Sequence, residues 1–136
     1  MPYATQADMV GHFGEPEIIQ LTDRHPAPLG LVDAVVLGQA LTRADGEIDG
    51  YLGVRYTLPL PFVPARLLDL ACDIARYHLY TYEAPELVST RYHDAIKVLQ
   101  AVAEGRVSLG IPDTPPAAGG LVEFVTGAKL FGRGVR

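Results

Sequence analysis

Three charged side chains in an otherwise apolar segment are the first candidates for chemistry. Asp69, Asp73 and Arg76 are spaced so that one side of a helix would carry all three. Two carboxylates on one helix face could perform acid–base catalysis or bind a metal ion. The alternative is a buried polar seam in which Arg76 neutralises both acids, because buried charges persist only when they are paired. The apolar surroundings of these residues favour the seam.

A cysteine and a histidine on the same segment are the second candidates. Cys72 would need an adjacent base to act as a nucleophile, but His78 is six residues further on and projects from another side of the helix. We therefore interpret Cys72 as a small buried hydrophobe and His78 as a core histidine whose ring is hydrogen-bonded. The phosphate-binding glycine loops and the paired histidines of zinc proteases are absent from the sequence. We expect no catalytic residue, no cofactor and no metal.

These candidates belong to residues 47–82, the stretch around which the rest of the chain is organised. It reads as the end of one helix, a proline-rich elbow, and a long helix that is apolar on almost every side. Such a helix lies inside a protein or between subunits. Pro59 and Pro61 predict an extended elbow, because residues before proline avoid the α region. Pro64 suits the first turn of the helix that follows.

Further helices are predicted on both sides of this stretch. Thr5 followed by Asp8 predicts the start of a short helix that Gly14 ends, and a second short helix follows at once. A long helix begins near Asp33, and residues 86–104 form the last one, which Gly105 closes.

The helix that begins near Asp33 is rich in glycine towards its end. Gly46, Gly50 and Gly53 each cost about 1 kcal/mol relative to alanine inside a helix. Either the helix frays after Ile48, or these small residues let another backbone come close, and we favour close packing. The residues assigned to the wetter side of this helix are Arg43, Asp45, Glu47 and Asp49.

The character of the chain changes after residue 105. Residues 107–111 suggest a short extended piece, and PDTPPAAGG at 112–120 predicts a semi-rigid spacer. The run at 121–125 predicts a strand whose partner edge comes from another chain. We therefore predict an all-α protein: a small bundle of about four to five helices in residues 1–110, then a Pro/Gly spacer and an extended partner-binding tail in residues 111–136.

Charge is unevenly distributed along the chain. The net charge is −5, made up of −7 for residues 1–120 and +2 for residues 121–136. An acidic body argues against duplex nucleic acid as the main ligand, since neutralising phosphates requires Lys and Arg. The sequence has neither a basic leader with an apolar run nor a stretch suited to crossing a bilayer, so we expect a soluble product made in the cytosol without membrane association.

Several stretches together resemble one protein family. They are MPYATQADMVGHFGEPEIIQLTDR, ALTRADGEIDGYLGVRYTLPL, ACDIARYHLY and RYHDAIKVLQAVAEGRVSLG, which span roughly residues 1–110. In this order and spacing they resemble the head–tail joining proteins of Mu-like tailed phages and related prophages. The closing LFGRGVR is a looser match to the short aromatic and basic tail of that family.

The resemblance implies a structural protein of the virion neck, made in the host cytoplasm. Its implied partners are the portal protein, the next neck or tail-terminator protein, and copies of itself in a ring, a dodecamer in the virion. Packaged DNA would pass through the channel without specific binding. The family brings no catalytic residues. The residues that we expect to contact partners are Arg55 and Tyr56 at the elbow, and Lys129, Phe131 and Arg133 in the tail.

Three other functions compete with the connector. A cytosolic helical adaptor or regulatory protein-binding module would differ only in its partner. A DNA-binding regulator would need a helix rich in exposed Arg, Lys, Asn or Gln, and residues 86–104 offer little more than Arg91 and Lys97. An enzyme would have to use Asp69, Asp73 and His78. The sequence favours the connector, which we expect to remain monomeric until a portal ring organises it.

Overall fold

Five helices account for most of residues 2–111, the part of the chain that a computed structural model describes. They are α1 Gln6–Phe13, α2 Glu15–Thr22, α3 Ala34–Leu52, α4 Ala65–Leu79 and α5 Glu86–Ala103. No strand occurs among these residues, so the predicted all-α fold is confirmed. The predicted spacer and tail, residues 112–136, lie outside the described part of the chain.

Residues close in the sequence fix where α1 begins and where it gives way to α2. The Thr5 hydroxyl accepts a hydrogen bond from the Asp8 N–H at 3.2 Å, and the Asp8 carboxylate accepts one from the Thr5 N–H at 2.8 Å. This reciprocal arrangement is a capping box and confirms the predicted start of α1. Gly14, at φ +90°, ends α1 and precedes α2 directly. That positive φ strains any residue with a Cβ.

Helix α3 runs without a break from Ala34 to Leu52, so it does not fray after Ile48. The Asp33 carboxylate caps its start by accepting hydrogen bonds from the N–H groups of Val35 and Val36, at 3.0 and 3.2 Å. The predicted close packing against Gly46 and Gly50 is wrong for the described chain, because a Cβ at either position would meet no atom within 4 Å. Both glycines lie on the exposed side of α3, away from its buried stripe.

The elbow, residues 53–64, begins with a turn. Residues 57–63, which are predicted to run extended, bend at 58–59 and again at 61–62. The Leu58–Pro59 peptide bond is cis. Leu60 is buried, so the elbow contributes to the core as well as connecting α3 to α4. Pro64 occupies the position just before α4, one residue earlier than the first-turn position predicted for it.

Helix α4 is the centre of the bundle. It packs between α3 and α5 and also contacts α1. Its buried residues form one broad face; they are Leu67, Leu70, Ala71, Cys72, Ile74, Ala75 and Leu79. Arg66 and Asp69 are exposed on the opposite side, so the helix is amphipathic and not apolar on almost every side as predicted. Burial raises the pKa of Cys72 to about 12, which confirms its interpretation as a buried hydrophobe.

The three long helices alternate in direction. The ring of Tyr77, near the end of α4, stacks on Tyr92 in the first half of α5, with centroids 4.0 Å apart. Arg55, just after α3, lies against Gly105, just after α5. We therefore distinguish an elbow end of the bundle, formed by residues 53–64 and 104–111, from a turn end, formed by residues 80–85 and the start of α3.

A glycine reverses the chain after α5. Gly105 has φ +84°, its N–H donates to the Val102 carbonyl at 3.0 Å, and the Arg106 N–H donates to the Ala101 carbonyl at 2.8 Å. These two bonds form a Schellman motif. The motif sends residues 107–111 back over the elbow end, where Leu109 is buried. The extended piece predicted for these residues is an irregular segment.

We expect Gly105→Ala to lower the free energy of unfolding by about 1–2 kcal/mol, because alanine is strained at this φ. A Cβ would also overlap the Arg55 guanidinium. Gly46→Ala is the matched control. It should raise stability by up to about 1 kcal/mol, since it adds a methyl group to an exposed helix position in open space. Urea denaturation with an unchanged m-value would measure both effects. Equal stability changes in the two variants would contradict the role of Gly105.

Candidate functional site

Two residues of the predicted seam on α4 have partners on other helices: Arg76 contacts α2, and Asp69 contacts α1. Arg76 binds Glu17 through two hydrogen bonds, of 2.7 and 3.1 Å, and its guanidinium lies 4.4 Å from the centroid of the Phe13 ring. Asp69 is 61% exposed and lies 3.3 Å from a ring nitrogen of His12. The predicted pairing of Arg76 with Asp69 and Asp73 is therefore wrong, and Asp69 is not buried. The reason is that α1 and α2 cross this side of α4 and bring their own charges.

Asp73 is the half-buried member of the predicted seam. Burial raises the pKa of its carboxyl, and the positive charges of Arg91, Arg76 and His12 only partly offset that rise. A carboxylate pair for acid–base work would need a second buried acid beside it, whereas Asp69 is exposed. Within residues 2–111, no group of three or more His, Cys, Asp or Glu side chains could hold a metal ion.

A polar cluster that the sequence did not predict links the three long helices. Glu47 of α3 accepts a hydrogen bond of 2.8 Å from the Tyr92 hydroxyl of α5, and its other oxygen binds the Nε2 atom of His78 on α4. The His78 side chain is only 8% exposed, which confirms it as a core histidine with a partner. Burial and the bond to Glu47 raise the pKa of Tyr92 to about 12. Its phenol is therefore a neutral donor at ordinary pH.

A cavity of about 360 Å³ borders this cluster at the turn end. Its walls are mainly aromatic and include Tyr77, Tyr80, Tyr82 and Tyr92, with Arg43 among the lining residues. His78 of the cluster also lines this cavity. We conclude that the carboxylate–imidazole–phenol cluster joins the three long helices.

Other residues assigned to the wetter side of α3 also make long-range contacts. Asp45 accepts a hydrogen bond of 3.0 Å from the Tyr3 N–H, and Asp49 accepts one from the Tyr3 hydroxyl. Tyr3 is itself almost fully buried, and its burial raises the pKa of its phenol. The start of the chain is therefore fixed to the second half of α3. Helical periodicity assigns these acids to the wetter side of α3. It cannot indicate a contact with a tyrosine more than 40 residues away in the sequence.

The residues predicted to contact partners have different positions in the structure. Tyr56 is only 5% exposed, and its hydroxyl accepts a hydrogen bond of 3.3 Å from the Leu109 N–H, so it is a core residue and that prediction is corrected. Arg55 is half-buried, with its guanidinium against Gly105. The remaining three, Lys129, Phe131 and Arg133, lie outside the described residues.

Large apolar side chains are exposed at both ends of the bundle and, as Leu29 and Leu31, in the connection from α2 to α3. At the elbow end these are Val54 and Phe62, which we call the elbow surface. At the turn end they are Val35, Tyr82 and Leu87, which we call the turn surface, and Tyr82 is 94% exposed. Groups of exposed apolar side chains mark interaction sites more often than isolated ones do. None of the helices in residues 2–111 has the length and apolar character needed to cross a membrane.

We expect Tyr92→Phe to lower the free energy of unfolding by about 1 kcal/mol, because it removes the hydroxyl donor from the partly buried Glu47 carboxylate. The matched control is Tyr82→Phe, which removes a hydroxyl from an almost fully exposed ring and should leave stability unchanged. Chemical denaturation at neutral pH measures both variants. A Tyr92→Phe protein as stable as wild type would show that this bond contributes nothing to the fold.

We expect Asp73→Asn to stabilise the protein at pH 7, by less than about 1 kcal/mol. The pKa of Asp73 is higher in the folded protein than in the unfolded chain, so the ionised carboxylate opposes folding. The protein therefore loses stability as the pH rises from below the pKa of the unfolded state through that of the folded state. The gain should therefore disappear near pH 3, where Asp73 is protonated in both states. Asp69→Asn, at an exposed site, should bring no such gain. Thermal melts of both variants at pH 3 and pH 7 provide the comparison, and a gain independent of pH would contradict this assignment.

Comparison with known proteins gives a consistent result over most of the chain. Residues 3–125 match the family described as Bacteriophage Mu, Gp36. The chain is 44% identical to the Mu-like prophage FluMu protein gp36 of Haemophilus influenzae over 103 residues, which are 76% of this chain and 70% of that protein. It is 31% identical to Gene product J of Escherichia phage Mu over 136 residues, covering 98% of this chain and 96% of that protein. This protein is thus a member of the bacteriophage Mu Gp36 family, a family of Mu-like phage proteins.

Proposed function

We propose that this protein is a head-completion or head–tail connector protein of the phage neck. In this proposal it forms a ring beneath the portal and links the DNA-filled head to the tail. The carrying observation is that two different apolar surfaces lie at opposite ends of one helical bundle. Membership of a Mu-like phage family supports a role in a tailed virion.

Two unlike surfaces on one subunit suit a ring. A ring is built from head-to-tail contacts, in which one surface of a subunit meets a different surface of the next. In this chain the elbow surface around Phe62 would meet the part of the turn surface formed by Val35 and Leu87 of a neighbour. A symmetric dimer needs only one such surface, since both subunits would then use the same patch.

Charge and chemistry support a structural role in a DNA channel. Residues 1–120 carry a net charge of −7, so the body of the ring would repel phosphates and let DNA pass without being held. The one cysteine is buried, and the buried histidine is bound to Glu47. We propose that the protein is non-catalytic and that its partners are the portal, further copies of itself, and the next neck or tail-terminator protein.

Native mass spectrometry of the full chain, alone and mixed with the portal ring of the same phage, tests this proposal. We expect a monomer alone and uptake of a fixed number of copies on the portal, which is lost when residues 121–136 are deleted. Phe62→Ser should weaken uptake about tenfold, because it removes an exposed aromatic anchor. Gln100→Ser, at an exposed polar position of α5, should leave uptake unchanged.

Two outcomes would contradict different parts of the proposal. Stable rings of the protein alone at low micromolar concentration would contradict the expected monomer, because no portal template would then be needed. Absence of binding to either portal or tail proteins would favour a cytosolic helical adaptor instead.

A further inference from the structure

We infer that residues 129–133 of one copy, KLFGR, dock in a groove at the turn end of the neighbouring copy. This inference rests on the ring proposed above and names the segment and the site that would hold adjacent subunits together. Three observations carry it: the shape and composition of the groove, the charges at its rim, and the end of the bundle at which the chain leaves the described structure.

The groove lies between α2 and the connection from α4 to α5, and its volume is about 480 Å³. Leu21, Leu79, Tyr80 and Tyr82 provide most of its apolar wall. That volume accommodates one aromatic side chain with its neighbours, and Phe131 is the aromatic residue of the 129–133 segment. Tyr82 stands almost fully exposed at its edge, so a docked phenyl ring would cover a side chain that the bundle leaves in water.

The charges of the groove match a basic segment. Arg24 lines the groove, but its guanidinium already donates to the backbone carbonyls of Leu21 and Leu79. Glu83, also at the groove, is exposed and makes no ion pair within residues 2–111. Lys129 and Arg133 would bring two cations to one carboxylate and to two tyrosine rings, which attract cations through their faces.

The path of the chain favours a neighbour's groove over its own. Ile111, the last described residue, is buried close to Leu109, whose N–H binds the Tyr56 hydroxyl at the elbow end. The groove lies at the opposite end, roughly 28 Å away by the length of α3. Head-to-tail contact brings the elbow end of one copy beside the turn end of the next. Residues 112–128 span up to about 55 Å when extended, so both grooves are within reach, and the neighbour's groove is favoured because it lies nearer to Ile111.

Photo-crosslinking of the full chain on the portal tests this inference. A benzoylphenylalanine replaces Tyr82, equal amounts of isotopically heavy and light protein are mixed before assembly, and crosslinked peptides are read by mass spectrometry. We expect crosslinks from position 82 to residues 129–133, with about half of them joining a heavy chain to a light one, as random pairing between copies requires. The same crosslinker at Leu87, exposed at the turn end but outside the groove, should seldom reach the tail.

The alternative occupants give distinct results. Crosslinks to the tail without heavy–light pairs would place each tail in its own groove, and crosslinks to the portal or to the elbow surface would assign the groove to those partners. Each result overturns the inference while the ring proposal stands, because assembly on the portal is recorded first. Failure of assembly on the portal in all proteins would overturn both.

A double-mutant cycle supplies a second test with no crosslinker. Tyr82→Ser and Phe131→Ser should each weaken uptake on the portal about tenfold, and the double variant should be no weaker than either one, because both changes remove the same contact. Tyr82 is exposed, so its replacement leaves the fold intact. Effects that multiply in the double variant would overturn the inference. Leu87→Ser is the control: it removes apolar turn surface outside the groove, so its effect on uptake should multiply with that of Phe131→Ser.

Discussion

The burial of α4 is the constraint on which the rest of the structure depends. A helix with so broad an apolar face needs several neighbours to cover it, and α3, α5 and α1 each cover part of that face. Its polar side chains must then find partners at its edges. Arg76 reaches Glu17, and His78 reaches Glu47. These paired charges fix how the surrounding helices are positioned, since an unpaired charge at such a site would oppose folding.

Features that depend on neighbouring residues could be predicted from the sequence. The capping box of Thr5 and Asp8, the start of α3 at Asp33 and the glycine that ends α5 are each determined within a few residues. The central position of α4 follows from the spacing of its apolar residues, which places them on one broad face. The fold class and the order of the helices could therefore be read from periodicity and caps.

Partners distant in the sequence could not be predicted. Glu17 and Arg76 are 59 residues apart, and nothing in the periodicity of either helix distinguishes Glu17 from the acids that lie nearer to Arg76. The same holds for Glu47 in the cluster that joins the long helices, which was assigned to solvent. The position of Tyr56 in the elbow predicts a contact with partners, but the chain after α5 folds back over this side chain and buries it. Helical periodicity describes the faces of a single helix. These contacts depend instead on how different helices pack against one another.

The exposed glycines of α3 determine how much of this helix depends on its neighbours. Gly46 and Gly50 weaken the second half of this helix without any packing of their own in return, because open space surrounds both positions. That half is therefore a poor helix in isolation, and it becomes ordered only when Ile48 and Leu52 are buried against the rest of the bundle. Helices α4 and α5, joined by a short connection, pair without this handicap. The bundle therefore holds the second half of α3 in its helical form, and that half depends on tertiary packing more than α4 and α5 do.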